Sequence, residues 1–298
     1  MREESAYKYR KSKEPLYNPY ILKVRKNTNF TRKKVETDFG WIEYCVYYPA
    51  SNINRKKMPV YFNFHGGGFV LGYYEQDGLI CQKIAREANC IVININYLLA
   101  PEHKFPVPIV SSAEAIDKIL QQDKYLDSTR IILGGFSAGG SLAVSTVLYI
   151  LANSKFKFSI CGVVTDYALF DFSINEEKRK IKYKNKAISP ARLIQYKKWY
   201  FNNKKELYSP LASPIYADLS KFPVSLIMSA EYDSLCEEEY LFAKKLKTQN
   251  KLYKYVCYKN CTHGYTHKIF NYNKVASKQT IKEIKDFLIY RFKKQNIN

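Results

Sequence analysis

The stretch RIILGGFSAGG, residues 130–140, joins a short apolar run to a cluster of small residues. Its first five residues are typical of a buried strand, and Leu142–Ala152 predicts a helix directly after it. The GxSxG sequence Gly135–Gly139 would then form a sharp turn from strand to helix, with the hydroxyl of Ser137 exposed at the start of the helix. The simpler alternative is a glycine-rich helix start in which Ser137 is an ordinary N-cap residue.

Strand-like and helix-like segments alternate on both sides of this turn. The predicted strands are Gly40–Tyr48, Pro59–Phe64, Cys90–Tyr97, Arg130–Gly134, Phe158–Thr165, Phe222–Ser229 and Leu252–Tyr258. The predicted helices are Asp77–Ala88, Val107–Gln122, Leu142–Ala152 and Ser277–Arg291. This order predicts an α/β fold with a mostly parallel central sheet flanked by helices.

One segment, from about Phe172 to Tyr208, interrupts the alternation. It is rich in lysine and aromatic residues, and it is longer than a simple connection between two strands. We therefore expect a single domain over residues 1–298, with an inserted cap at about 172–208.

The net charge of +21 is concentrated in two segments. Residues 1–34 contain eleven Lys/Arg and three Asp/Glu, and residues 178–205 contain eleven Lys/Arg and no Asp/Glu. The rest of the chain is therefore almost neutral. No nucleic-acid-binding motif accompanies this charge, so we do not expect nucleic acid as the primary partner. Composition offers another cause, because abundant Lys, Asn, Ile and Tyr are typical of an AT-rich coding sequence.

The sequence shows no sign of export, a membrane span or a metal site. The N-terminal MREESAYKYRKSK lacks an apolar region, and no apolar run approaches the roughly 20 residues of a transmembrane helix. The seven cysteines are scattered, and Cys257, Cys261, His263 and His267 lack the paired spacing of zinc sites. We expect reduced thiols in a cytoplasmic protein that needs no cofactor or metal.

A second glycine-rich segment, His65-Gly66-Gly67-Gly68-Phe69, follows the strand at Pro59–Phe64. Three successive glycines leave the loop without side chains, so its amides can approach a ligand oxygen closely. Such amides can stabilise the anion that develops during acyl transfer. A flexible turn is the alternative.

A serine nucleophile needs a base, and four histidines are available: His65, His103, His263 and His267. Where a serine occupies a strand-to-helix turn of this kind, the acid and then the base follow it in the chain. We favour His263, which lies in a loop after the last predicted strand. His267 is the alternative base, and otherwise we expect it at the surface.

The acid that orients the base must lie between residues 137 and 263. The candidates are Asp166, Asp171, Asp218 and Asp233. Asp233 follows the apolar strand Phe222–Ser229, one strand before the histidine loop. Because of this place in the strand order, we favour it as the acid that orients the base. Asp166, at the end of the preceding strand, is its rival. Glu237, Glu238 and Glu239 are expected to open the next helix, where acidic residues suit the helix dipole.

The sequence resembles the hormone-sensitive-lipase-like family of α/β-hydrolases, which includes bacterial carboxylesterases and arylacetamide deacetylases. The resemblance rests on blocks that occur in order from residue 65 to 265. They are HGGGF (65–69), YLLAPEHKFP (97–106, similar to that family's YRLAPEHPFP), GFSAGG (135–140), SPLASP (209–214), Asp233-Ser234-Leu235 and His263-Gly264-Tyr265.

The resemblance implies a Ser137–His263–Asp233 triad and an oxyanion hole formed by the backbone amides of Gly67, Gly68 and Ala138. It also implies that the cap combines an insertion after the sixth strand, about 172–208, with the N-terminal segment, about 1–34. In such a cap, Trp199, Tyr200 and Phe201 are candidates to line an acyl pocket.

Two residues depart from the family pattern. Phe136 stands where most members have Asp, and Leu98 replaces the usual Arg. Phe at position 136 is similar to relatives that deacylate sugar or aryl esters, so the departure concerns the substrate and leaves the triad positions intact.

Three hypotheses follow. The first is a serine carboxylesterase that hydrolyses short-chain acyl or aryl esters, with deacetylation of sugars or amides as the variant on the same triad. The second is a non-catalytic ligand-binding member of the fold, and the third is a binder of nucleic acid or anionic membranes. If both basic segments form the cap, anionic substrates or surfaces would be favoured. The sequence leaves the oligomeric state open, with a homo-oligomer among the options.

Overall fold

The computed structural model describes residues 5–49, 57–179, 181, 183 and 187–295. Its strands are β1 (Thr31–Thr37), β2 (Gly40–Tyr47), β3 (Met58–Phe64), β4 (Ile91–Asn96), β5 (Leu126–Phe136), β6 (Ile160–Asp166), β7 (Ser225–Ala230) and β8 (Leu252–Tyr258). Its α-helices are α1 (Ala6–Asn27), α2 (Gly78–Ala88), α3 (Val107–Gln122), α4 (Ala138–Leu151), α5 (Pro190–Tyr200), α6 (Cys236–Thr248) and α7 (Lys274–Lys294). Among the helices of these described residues, none has both the length and the apolar character needed to cross a bilayer.

The strands form one sheet in the order β1-β2-β4-β3-β5-β6-β7-β8. The pairs β1–β2 and β2–β4 are antiparallel, and every pair from β4 to β8 is parallel. One face packs against α3, α4 and α6, and the other packs against α2 and α7. The predicted α/β class with a mostly parallel sheet is confirmed, and the carboxyl ends of β3, β5, β6, β7 and β8 share one edge.

The N-terminal segment differs from the prediction. Residues 1–34 were expected in the cap, but β1 begins at Thr31 and pairs with β2 as the outermost strand. The part that can lie over the sheet edge is α1, which ends at Asn27. This helix contains Pro15 and Pro19 and many charged residues, so it has no continuous apolar stripe to predict it.

The turn at Ser137 depends on close backbone packing. Ser137 has φ 54° and ψ −126°, a region that an L-residue adopts only when its surroundings hold it there. Its amide donates to the Asp166 carbonyl at 2.9 Å. A Cβ on Gly135 or Gly139 would clash with the Phe64 carbonyl oxygen, so β3, β5 and α4 can approach this closely only because both residues are glycine.

The cap is anchored by polar contacts that have little exposure to water. The hydroxyls of Tyr9 on α1 and Tyr196 on α5 are hydrogen-bonded at 2.8 Å, and Arg10 donates to the Val70 carbonyl at 2.6 Å. At the start of the insertion, the Arg179 guanidinium pairs with Glu176 and with Glu238 of α6, and all three side chains are buried. A buried ion pair costs several kcal/mol when one partner is removed, so these contacts hold the cap over the sheet edge.

Gly139→Ala is expected to destabilise the protein by about 2–3 kcal/mol, because the new methyl group would meet the immovable backbone of Phe64 and His65. Gly72→Ala is the matched control, since its methyl group would meet side-chain atoms and not backbone, above all the terminal carbon of Leu99. Urea unfolding measures both. Equal losses of stability in the two variants would contradict the packing argument.

Candidate active site

Ser137, His263 and Asp233 form a continuous hydrogen-bonded chain at the carboxyl edge of the sheet. Ser137 follows β5, Asp233 follows β7 and His263 follows β8. His263 Nε2 lies 2.8 Å from Ser137 Oγ, and His263 Nδ1 lies 2.6 Å from Asp233 Oδ2. With the proton on Nδ1, that N–H donates to the carboxylate, and Nε2 accepts from the serine hydroxyl.

The two ends of this chain differ in their exposure. The Asp233 side chain is fully buried, whereas the His263 side chain keeps 18% of its surface exposed. The carboxylate also accepts from the Leu235 amide at 3.3 Å, which limits its rotation. Asp233 therefore fixes the imidazole on its Nδ1 side, and the Nε2 side faces a cavity.

Asp166, the rival acid, has a different role. Its side chain is buried and accepts from the Tyr265 hydroxyl at 2.9 Å, and no contact joins it to His263 in the described part of the chain. Burial raises the pKa of this carboxyl well above its usual range. It serves the turn through its backbone, because its carbonyl accepts from the Ser137 amide.

The glycine loop lies directly beside the serine. A Cβ on Gly66 would be 3.3 Å from Ser137 Cβ, and the loop turns sharply because Gly67 and Gly68 have φ of 138° and 62°. The amides of Gly67, Gly68 and Ala138, the predicted oxyanion-hole donors, donate to no other described residue. They are thus available to an oxygen bound at Ser137.

Aromatic side chains fix this loop from both sides. Tyr200 of α5 stacks on Phe69 with ring centroids 4.1 Å apart, and the ring of Tyr196 packs over Gly68. Trp199, Tyr200 and Phe201 were expected to line a pocket, but they are buried and do not line the cavity. Tyr196 lines it instead, one helical turn before Tyr200.

The cavity above Ser137 has a volume of about 540 Å³. The glycine loop, Ser137 and His263 form its floor, and α1 and α5 contribute walls. Its aromatic lining is Tyr9, Tyr17, Phe136, Tyr167, Tyr196 and Phe270. Lys13 and Arg192 also line it, and no Asp or Glu is among its described lining residues.

His267 was expected at the surface, but it is buried beside the candidate triad. Its Nε2 is 2.8 Å from Asp77 Oδ1, and its Nδ1 is 3.0 Å from the Tyr167 hydroxyl. Asp77 also accepts from Asn63 Nδ2 at 2.7 Å. His267 is therefore committed to its own buried carboxylate and does not act as the base of Ser137.

This second pair explains how Phe136 is accommodated next to the serine. The Phe136 ring lies edge-on to His267 at 5.1 Å, and Tyr167 lies edge-on to His263 at 4.8 Å. Asp77 and Tyr167 occupy both ring nitrogens of His267, so the apolar Phe136 ring packs against this imidazole without leaving either nitrogen unpaired. The sequence offers no local signal for this network, because Asp77 and His267 are 190 residues apart.

The comparisons with known proteins identify the family. A family model described as the α/β-hydrolase fold matches residues 61–267, and the chain belongs to that family. The resemblance to hormone-sensitive-lipase-like α/β-hydrolases is thereby confirmed. An arylesterase of Saccharolobus solfataricus is 32% identical over 203 residues, which are 66% of this chain and 64% of that protein.

Solved structures agree with this fold over nearly the whole chain. A hyperthermophilic esterase from the archaeon Pyrobaculum calidifontis has a TM-score of 0.84 and 26% identity, covering 97% of this chain and 92% of that one. A thermostable carboxylesterase cloned from a metagenomic library has a TM-score of 0.83 and 23% identity, covering 97% and 98%. At that lower identity the similarity concerns the fold alone.

His65, the first residue of the glycine loop, should make stability depend on pH. Its ring is fully buried and stacked on Tyr97, and burial lowers the pKa of the imidazole to about 4. In the unfolded chain the imidazole of His65 takes up a proton near pH 6.5, whereas in the folded chain it does so only near pH 4. The contribution of His65 to the free energy of unfolding is therefore complete above pH 6.5. It falls by up to about 1.4 kcal/mol per pH unit as the pH is lowered towards 4.

Urea unfolding at several pH values between 4 and 7 tests this expectation. His65→Asn removes the titration and should flatten the fall in stability, with His103→Asn at a half-exposed position as the matched control. If the free energy of unfolding falls with pH at the same slope in the wild-type protein and in His65→Asn, the folded state does not lower the pKa of His65.

Proposed function

We propose that this α/β-hydrolase is a serine carboxylesterase that hydrolyses short-chain acyl or aryl esters through an acyl-enzyme intermediate. The observation that carries the proposal is the unbroken Ser137–His263–Asp233 hydrogen-bonded chain on the floor of a cavity, facing the free amides of the glycine loop. Nucleophile, base, orienting acid and anion donors together are what acyl transfer requires.

In the first half-reaction, Ser137 Oγ attacks the ester carbonyl while His263 Nε2 takes the hydroxyl proton. The carbonyl oxygen becomes an oxyanion that the amides of Gly67, Gly68 and Ala138 can bind. Collapse of this intermediate breaks the bond to the alcohol, which leaves with the proton from His263. Asp233 holds the imidazole in the required tautomer and stabilises its charged form.

The second half-reaction uses the same residues in the same order. His263 removes a proton from water, the resulting hydroxide attacks the acyl-serine, and the oxyanion forms again at the same amides. When this intermediate collapses, Ser137 recovers its proton from His263 and the carboxylic acid is released. All protons pass through one imidazole, so these steps need no group beyond the chain and water.

The similar proteins support this reaction class. The relative from Saccharolobus solfataricus is an arylesterase, and the structures with similar folds include esterases and carboxylesterases. The similarity to this arylesterase spans 64% of that relative's length. Deacetylation of sugars or amides would use the same steps and differ only in the leaving group. A reducing compartment such as the cytoplasm suits the seven free thiols.

We further propose that the esters preferred by this site carry a negative charge. Lys13 of α1 lies 5.1 Å and Arg192 of α5 lies 3.9 Å from the Tyr9 ring centroid, so both cations stand at one wall of the cavity. The described lining residues include no carboxylate that would oppose an anion. Like charges gathered at a cleft with low-dielectric walls attract and orient substrates of opposite charge.

The esterase proposal predicts turnover of p-nitrophenyl esters in the series from acetate to decanoate, with a maximum at short acyl chains. Ser137→Ala should lower kcat by about 10⁴-fold or more while the protein stays folded. Ser220→Ala, at an exposed position, is the matched control. Turnover that survives in Ser137→Ala would contradict the assignment, and no wild-type turnover would favour a deacetylase or a binding protein.

The charge proposal predicts that 4-acetoxybenzoate is hydrolysed with a higher kcat/KM than neutral 4-acetoxybenzamide at low salt. The preference should fall by about fivefold in Lys13→Gln with Arg192→Gln, and raising the salt to about 0.5 M should lower it in the wild type. Lys11→Gln, an exposed lysine on the same helix, should leave it unchanged. A preference that is independent of salt and of both cations would refute the proposal.

A further inference from the structure

Two of the seven cysteines are more exposed to solvent than the other five. Cys45, Cys81, Cys90, Cys161 and Cys261 are buried, whereas Cys236 and Cys257 are half-buried. The sulfur atoms of Cys236 and Cys257 are 3.8 Å apart. Cys236 is the first residue of α6, and Cys257 lies near the end of β8, the next element along the chain.

The pair lies between the two segments that carry the acid and the base. Cys236 opens α6 three residues after Asp233, and Cys257 lies in β8 six residues before His263. Backbone hydrogen bonds already join these segments, since the Glu231 amide donates to the Tyr258 carbonyl at 3.0 Å and the Tyr232 amide to the Cys261 carbonyl at 2.9 Å. A bond between the two sulfurs would therefore add a covalent link between the segments that carry Asp233 and His263.

We propose that Cys236 and Cys257 are a redox-modification site, at which a small disulfide such as oxidised glutathione produces a Cys236–Cys257 bond that lowers turnover at Ser137. The bond itself requires only the two thiols and the oxidant. Its effect on turnover rests on the proposed esterase function.

The thiol–disulfide exchange takes place in two steps. The Cys257 thiolate attacks one sulfur of the small disulfide, forms a mixed disulfide and releases one small thiolate. Cys236 then loses its proton to water and attacks the Cys257 sulfur, which forms the protein disulfide and releases the second small thiolate. Two protein thiols are oxidised, one small disulfide is reduced to two thiols, and a small reducing thiol reverses the reaction.

The surroundings of the two thiols shift their pKa values in opposite directions. The hydrogen bond from Cys236 lowers the pKa of the Cys257 thiol to about 6, and Lys259 acts in the same direction. The same interaction raises the pKa of Cys236. Cys257 is thus the attacking thiolate near neutral pH, and Cys236 is the resolving thiol beside it.

Closing the bond brings the two sulfurs together, and the fixed geometry of a disulfide then constrains the segments that carry them. A disulfide has an S–S distance of about 2.05 Å, so the sulfurs have to approach by about 1.8 Å. Asp233 and His263 are joined by a single 2.6 Å hydrogen bond, and a shift of about 1 Å in such a group can cost up to about 100-fold in rate. We expect kcat to fall by about tenfold with little change in KM, because the cavity walls on α1 and α5 do not move.

Intact and peptide mass spectrometry tests the modification independently of any enzymatic activity. The full-length protein is equilibrated with oxidised glutathione near pH 7.5, and a loss of two hydrogens is expected, in a single cross-linked peptide pair containing Cys236 and Cys257. Cys236→Ser should instead stop at the mixed disulfide on Cys257, and Cys90→Ala should cross-link like the wild type. No cross-link, or one that joins other cysteines, would overturn the proposal.

Ester hydrolysis before and after oxidation tests the consequence. The wild-type kcat should fall about tenfold and return on reduction with dithiothreitol, whereas Cys257→Ser should show no fall that dithiothreitol reverses. An unchanged kcat in protein shown by mass to be fully cross-linked would overturn the effect on turnover. If the reduced wild type hydrolyses no ester, the esterase proposal fails, while the mass result still decides the modification.

Discussion

At the Ser137 turn, the backbones of β3, β5 and α4 approach one another so closely that no side chain fits between them. Gly135 and Gly139 bring two backbone segments against the Phe64 carbonyl, and there is no room for a side chain at either glycine. The strained φ of Ser137 is maintained by this packing and by the hydrogen bond to the Asp166 carbonyl. As a result, the hydroxyl projects from the sheet edge towards the loops after β3, β7 and β8.

The other parts of the site follow from the parallel sheet. Because β3, β5, β7 and β8 end at the same edge, the glycine loop, Ser137, Asp233 and His263 come together although they lie almost 200 residues apart in the chain. The buried Asp77–His267 pair fills the space behind them, and the Tyr167 ring connects that pair to His263. The cap then encloses the serine with aromatic rings and places two cations at the cavity wall.

The sequence predicted much of the sheet and the candidate triad, because these are encoded locally. Apolar strands of five to eight residues, a GxSxG turn and the order of serine, acid and histidine are all readable without a structure. The predicted strands from Pro59 to Tyr258 agree with β3 to β8 within a few residues, apart from the first residues of β5 and β7. Helix α1 was missed because its burial depends on partners in the cap and not on its own periodicity. His267 was misplaced because its carboxylate lies 190 residues away, and the aromatic residues of α5 were misassigned because helix rotation cannot be read from a segment without an apolar stripe.

Esterase activity at this site requires that Ser137 is a nucleophile activated by His263. A fluorophosphonate reacts with such a serine whatever ester the enzyme prefers, so labelling followed by peptide mass spectrometry tests the nucleophile independently of the substrate. We predict one phosphonyl group per chain, attached to Ser137, and strongly reduced labelling in folded His263→Ala. No adduct on the folded wild-type protein, an adduct on another residue, or equal labelling of His263→Ala would contradict the account.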